Sequence, residues 1–218
     1  MELTAVHISK SIQGQKVLDD VSIRMVSGKV YGFCGRNGSG KTMLFRALSG
    51  LIRLDEGTVR LDGKLLHKDF SVLPNLGIVL ENAGLYMNMT GMQNLMFLAG
   101  LNKKVGEKEA YRAMERVGLE PEDKRSYRKY SMGMKQRLAI AQAIMEEPDI
   151  LMLDEPTNGL DDEGVKLIRK IILEEKRRGA LILFASHIKE DVHILADQLY
   201  YVSYGKVLFE CGVLEAGR

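Results

Sequence analysis

Gly35-Arg36-Asn37-Gly38-Ser39-Gly40-Lys41-Thr42 decides the fold. Before it, Val30-Tyr31-Gly32-Phe33-Cys34 reads as a buried strand running into a glycine-rich turn. After it, Leu44, Leu48 and Leu51 recur on one helical stripe, with Gly50 near its end. The octet fits G-x-x-x-x-G-K-[ST] and stands between strand and helix, where a phosphate-binding loop belongs. Its glycines let successive backbone N–H groups turn inward around phosphate oxygens, because no Cβ blocks the turn. The helix starting near Lys41 adds the positive end of its dipole. Lys41 brings a cation to the outer phosphates, and the Thr42 hydroxyl can ligate Mg²⁺. A merely structural turn has no need of Lys-Thr after its third glycine. Nucleotide binding is the reading.

A second segment supplies carboxylates. Ile150-Leu151-Met152-Leu153 is an apolar strand that ends in Asp154-Glu155. Ligand sites of open α/β sheets lie at the carboxyl ends of strands, where these acids fall. Asp154 is expected to hold Mg²⁺, and Glu155 to face the attacking water as general base or polariser. Alone, two adjacent acids would mark a solvated strand end. Paired with the upstream loop they point to hydrolysis.

Working outward, strands alternate with helices. Thr58 to Leu61 turns at Asp62-Gly63 into Lys64-Leu65-Leu66, and Leu76 to Leu80 is a further apolar strand. From about residue 82 to 135 two or three helices follow one another without a convincing strand. The alternation resumes with Ile150 to Leu153, a helix over about Asp162 to Arg178, strand Leu181 to Ala185 and a short helix. A hairpin then turns at Tyr204-Gly205. This order predicts a largely parallel α/β sheet with a helical insertion.

The 218 residues are 45% hydrophobic, enough for one sizeable core, and a single domain is expected. A net charge of +2 argues against a protein that blankets nucleic-acid phosphates. No apolar run approaches the ~20 residues of a membrane-spanning helix. No basic stretch followed by an apolar one suggests a signal peptide at the start. Two cysteines, Cys34 and Cys211, suit a reducing compartment. The expectation is a cytosolic globule.

Further segments resemble one family. Tyr130-Ser131-Met132-Gly133-Met134-Lys135-Gln136-Arg137 resembles the signature motif of ATP-binding-cassette (ABC) ATPases, usually LSGGQ followed by a basic residue, Gln and Arg. Pro156-Thr157-Asn158-Gly159-Leu160-Asp161 resembles the family's D-loop, and Ser186-His187 its switch histidine. The ordered set spans essentially the whole chain, which makes it far more specific than any one piece.

A Ser hydroxyl, a glycine N–H and a helix N-terminus also form an anion site on physical grounds. The resemblance implies that Ser131 and Gly133 complete the nucleotide held by a partner cassette, so that two ATP molecules lie between two cassettes. It implies that His187 touches the γ-phosphate and the attacking water. His7, His67 and His193 are read as structural. Ser131 and Asp161 each retain a plainer reading as a helix N-cap, and for Asp161 the cap and the interface role stay open.

The chain departs from the family pattern in places. Ile12 stands where an aromatic ring usually stacks on adenine, which predicts weaker nucleotide binding or less base selectivity. Glu81 stands where the family has its Q-loop glutamine; a carboxylate can still ligate Mg²⁺ but adds negative charge near the γ-phosphate. Met132 and Met134 replace a glycine and a glutamine of the signature. Tyr86, Met87, Met89, Met92 and Met96 suit either a groove for a short helix of a membrane subunit or gap-filling in the core. The basic run Lys124, Arg125, Arg128 and Lys129 reads as a solvated face.

The resemblance implies a P-loop NTPase (RecA-like) core with an N-terminal antiparallel β portion and an α-helical insertion. Residues 1–81 and 136–218 would form the core, and about 82–135 a helical subdomain, within one ABC ATPase domain over 1–218. It implies an ATP-binding and ATP-hydrolysing subunit, with ATP and Mg²⁺ as ligands and a second cassette as partner. Transmembrane permease subunits on other chains would be driven by dimer closure, with export favoured over import by the form of the signature. Such a chain would be cytoplasmic and peripheral on the inner face of the cell membrane. The alternatives are a non-transport regulatory or clamp-type cassette and, from Ile12 and Glu81, a weakly hydrolysing one.

Overall fold

The computed structural model describes residues 1–80 and 84–210. Its main sheet contains β3 (Val30–Cys34), β6 (Leu76–Val79), β7 (Ile150–Asp154), β8 (Leu181–Ser186), β9 (Gln198–Ser203) and β10 (Lys206–Glu210), in the order β10-β9-β3-β8-β7-β6. All neighbours pair in parallel except the final hairpin, β9 with β10. A second, antiparallel sheet has the order β2-β1-β4-β5, from β1 (Glu2–Ile12), β2 (Gln15–Val26), β4 (Glu56–Leu61) and β5 (Lys64–Leu65). The helices are α1 (Lys41–Ser49), α2 (Gly91–Asn102), α3 (Glu107–Arg116), α4 (Met132–Ile144), α5 (Asp162–Arg178) and α6 (Lys189–Leu195).

Every residue of β3, β7 and β8 is buried, which explains why these strands are unbroken apolar runs rather than alternations. Successive side chains still point to opposite faces. Tyr31, Phe33, Ile150, Met152, Leu181 and Leu183 pack on one face with Leu44, Phe45 and Leu48 of α1 and with Leu3 and Ile8 of the antiparallel sheet. Val30, Leu151, Leu153, Ile182 and Phe184 pack on the other with Ile168 and Ile172 of α5, Leu138 of α4, Leu95 of α2 and Met114 of α3. At roughly 1.5–3 kcal/mol for each large aliphatic side chain removed from water, these two layers fix the sheet firmly. They also hold the strand ends where the chemistry sits.

Local signals explain the helix limits. The Thr90 hydroxyl accepts from Gln93 N (3.2 Å) while the Gln93 side chain accepts from Thr90 N (2.9 Å), closing a capping box on α2. Helix α5 carries Asp162 and Glu163 in its first turn and Lys176, Arg177 and Arg178 in its last, matching the helix dipole. Helix α1 stops at Gly50, which has φ 92°. Leu51 therefore leaves the stripe expected of it and is 51% exposed. Among the described residues, no helix is long and apolar enough to cross a membrane.

Candidate functional site

The carboxyl ends of β3, β7 and β8 lie side by side, in registers Cys34↔Ser186 and Asp154↔Ala185. From β3 the loop of residues 35–40 leads into α1, whose N-cap is Gly40 with φ 112° and no side-chain hydrogen bond. A Cβ at Gly40 would come 2.9 Å from Val17 O, so glycine is required both for its dihedral and for its space. A serine or aspartate cap would fill the first-turn N–H groups; glycine leaves them to an anion. Within this loop the Ser39 hydroxyl is buried and has no hydrogen-bond partner among the described residues. An orphaned buried hydroxyl beside uncapped N–H groups is what a phosphate cradle looks like without its phosphate.

Lys41 is only 6% exposed. Its Nζ donates to Gly35 O (2.7 Å) and Arg36 O (3.3 Å), and stands 3.7 Å from Glu155 Oε1. The Thr42 hydroxyl donates to Asp154 Oδ2. One hydroxyl and one carboxylate are hard oxygen donors of the kind Mg²⁺ takes, with water and phosphate oxygens completing its octahedron. Among the described residues no group of three or more His, Cys, Asp or Glu side chains forms a closed metal cage. The donor set fits a nucleotide-borne Mg²⁺.

Glu155 follows the last ladder pair of β7, and its N–H donates to Ala185 O (2.8 Å). It adopts φ 49°, the left-handed region that a non-glycine residue enters at a cost. This conformation turns its carboxylate toward β8. Oε2 accepts from His187 Nδ1 (2.7 Å) and from His187 N (3.3 Å), whereas Oε1 is buried and has no hydrogen-bond partner among the described residues. A buried carboxylate oxygen whose only answer is a 3.7 Å ion pair to Lys41 keeps its hydrogen-bonding capacity for an incoming group. Gln136 of α4 holds the turn by donating to Glu155 O and Pro156 O, both at 3.2 Å. A cavity of 280 Å³ is lined by Asn37, Thr42, Asp154, Glu155, Gln136 and Met132.

The structure thus brings the expected loop residues 35–42, Asp154, Glu155 and His187 together. Ser131, Gly133 and Asp161 stand apart at two exposed helix ends. Ser131 caps α4, accepting from Met134 N (3.1 Å). Gly133 packs the tip closely, since a Cβ there would lie 3.2 Å from Gly159 O. Asp161 caps α5 from Gly164 N (2.9 Å) and pairs with Arg137 Nη2 (3.0 Å). Ile12 is 41% exposed at the end of β1. Glu81 and Cys211 lie outside the described residues.

One group escaped the sequence reading. Asp191 of α6 is buried and accepts hydrogen bonds from Thr157 and from Arg169 Nε (2.8 Å) and Nη2 (2.5 Å). It ties the turn after Glu155 to the helix after His187. The available signal was an acid between His187 and the buried pair Val192 and Leu195 on a short helix. A charge on a packed face asks for a partner. The stretch with Tyr86 and the methionines divides: Met92 and Met96 pack against the core, while Tyr86 and Met87 are each 49% exposed.

A family model described as "ABC transporter" matches residues 18–158. The chain is 43% identical over 205 residues to the ABC transporter ATP-binding protein YybJ of Bacillus subtilis, covering 94% of each. It is 39% identical to the bacitracin transport ATP-binding protein BcrA of Bacillus licheniformis, over 93% of this chain and 67% of that one. A solved structure of an ATP-binding subunit of an ABC transporter superposes with a TM-score of 0.84 at 26% identity, over 95% of this chain and 88% of that one.

Proposed function

The chain belongs to the ABC transporter family as an ATP-binding cassette, and from that premise we propose that it binds and hydrolyses ATP to drive membrane subunits carried on other chains. The observation that carries this reading is the Glu155 carboxylate, fixed by His187 on one oxygen and, among the described residues, without a hydrogen bond on the other, which pairs with Lys41 of the phosphate loop at 3.7 Å.

In this reading residues Gly35 to Lys41 hold the β- and γ-phosphates through backbone N–H groups and the Lys41 ammonium. Thr42 and Asp154 would hold Mg²⁺, which neutralises phosphate charge when bound. Glu155 Oε1 accepts a proton from water as the water oxygen bonds the γ-phosphorus and the bridging P–O bond to ADP breaks. His187, already bonded to Glu155, fixes that carboxylate and reaches the γ-phosphate. Water attack needs no covalent enzyme intermediate, so positioning and electrostatics do the catalysis.

Ser131 and Gly133 belong to a second nucleotide, held by a partner cassette that closes on this one, with Asp161 at the seam. The exposed α4 tip supports this, since a cap that served its own helix alone would gain nothing from an exposed neighbour such as Met132 (63%). Exposed Tyr86 and Met87, with Phe97 and Leu101 of α2, offer an apolar face for a permease helix. In this reading the chain sits on the cytoplasmic face of a membrane. Likeness to a bacitracin transport protein supports export of peptide-antibiotic-like cargo. Residues about 82–135 are taken as a helical subdomain inserted in one domain.

The deciding experiment compares wild type with Glu155→Gln for ATP binding and for phosphate release, with Mg²⁺ present. Hydrolysis should fall by roughly 10²–10⁴-fold while ATP affinity holds within about threefold. Phosphate release at the wild-type rate would overturn the assignment.

A further inference from the structure

The larger cavity beside the phosphate loop, of 510 Å³, has a wall that hydrolysis does not use. Gln15, Lys16 and Val17 of β2, Arg46 of α1 and the Tyr204-Gly205 turn form it, facing Gly38 to Met43. Tyr204 and Gly205 are the two central residues of the β9–β10 hairpin, with φ 48° and 75°. Such turns favour Asn-Gly or Asp-Gly, and tyrosine is an unusual occupant of the first position.

The tip is held from two sides. Gly205 N donates to Ser39 O (3.0 Å) in the phosphate loop, and Gly205 O accepts from Asp19 N (2.9 Å) in β2. A Cβ on Gly205 would lie 2.7 Å from Val17 O, so the hairpin seats against β2 as closely as backbone allows. Tyr204 is nevertheless 90% exposed. A large ring in a left-handed conformation, immobilised at its Cα and almost bare of contacts, does nothing for this fold.

We propose that Tyr204 is the residue on which the base of the bound nucleotide stacks, a reading that rests on the nucleotide site above. Phosphates seated in the loop leave ribose and base to extend along the 510 Å³ cavity, whose one aromatic wall residue is Tyr204. Ile12, with no ring to offer, is not among the residues of that wall. Every base presents a π-face, so the stack adds affinity without choosing between adenine and guanine. The rigid hairpin keeps the ring's position fixed before the nucleotide arrives, which lowers the ordering cost of the stack.

The test measures equilibrium binding of ATP, GTP and inorganic tripolyphosphate, each with Mg²⁺, to wild type, Tyr204→Ala and Tyr204→Phe. Tyr204→Ala should weaken ATP and GTP by roughly tenfold or more and tripolyphosphate by less than about twofold; Tyr204→Phe should restore both nucleotides. Thermal melting within a degree or two of wild type, expected for so exposed a side chain, shows that the variants are folded. ATP affinity unchanged in Tyr204→Ala, or an equal loss for tripolyphosphate, overturns the stacking role alone. Wild type that binds neither ATP nor tripolyphosphate would bring down the nucleotide site and the stack with it.

Discussion

The two chemically loaded ends of the molecule are built on different plans. At and just beyond the ends of β7 and β8 the acids are buried or largely so and are answered from within the chain: Asp154 by Thr42, Glu155 by the more exposed His187, and Asp191 of α6 by Thr157 and Arg169. At the α4 tip Ser131 and Met132 are exposed, and their polar contacts go no further than their own first turn. Enclosure suits groups that must hold an angle and exclude water. An exposed helix end suits groups whose partner comes from outside. One region is finished in a single copy; the other, in the reading proposed above, is half of something.

The comparison can be broken at either side. The largest effect is expected at Glu155, where the glutamine variant should lose roughly 10²–10⁴-fold in phosphate release, as set out above. Next comes Ser131→Asp. Aspartate caps a helix as well as serine, so melting temperature should hold, but its charge would face an incoming phosphate. Phosphate release should fall by roughly tenfold or more, with ATP binding to the isolated chain unchanged. Unchanged phosphate release would mean that Ser131 caps α4 and nothing else.

Asp191→Ala tests the enclosed side. It leaves the buried Thr157 hydroxyl without its acceptor and Arg169, 17% exposed, with only its 3.3 Å bond to the exposed Glu190, and stability should fall by about 3 kcal/mol in denaturant unfolding. Asp161→Ala is the gentlest. Loss of a cap should cost about 1 kcal/mol, and the ion pair to Arg137 adds little because Asp161 is 72% exposed. A larger fall in phosphate release than in stability would assign Asp161 to the seam.

Much of this was legible because it is written locally. The phosphate loop, the β3 and β7 runs and the Asp62-Gly63 and Tyr204-Gly205 turns each fit within about ten residues, and the backbone angles of both turns agree. The antiparallel pair β1 and β2 was not read strand by strand. Its register shifts three times, and His7 and Asp20 sit at positive φ, so the alternation that marks a strand is broken. Leu51 was misplaced because a stripe counted by period does not see that Gly50 ends the helix. The Thr157–Asp191–Arg169 group joins three segments through side chains, and such a meeting leaves no trace in spacing. Glu155 was found by motif, but its left-handed backbone depends on β8 as a neighbour.

The main-chain bond from Glu155 to Ala185 has a practical corollary. The sheet, not the carboxylate, decides where residue 155 stands, so exchanging its acid for an amide should silence the chemistry while the strand edge keeps its shape. A complex captured that way would portray the moment before bond cleavage, undistorted by the substitution that arrested it.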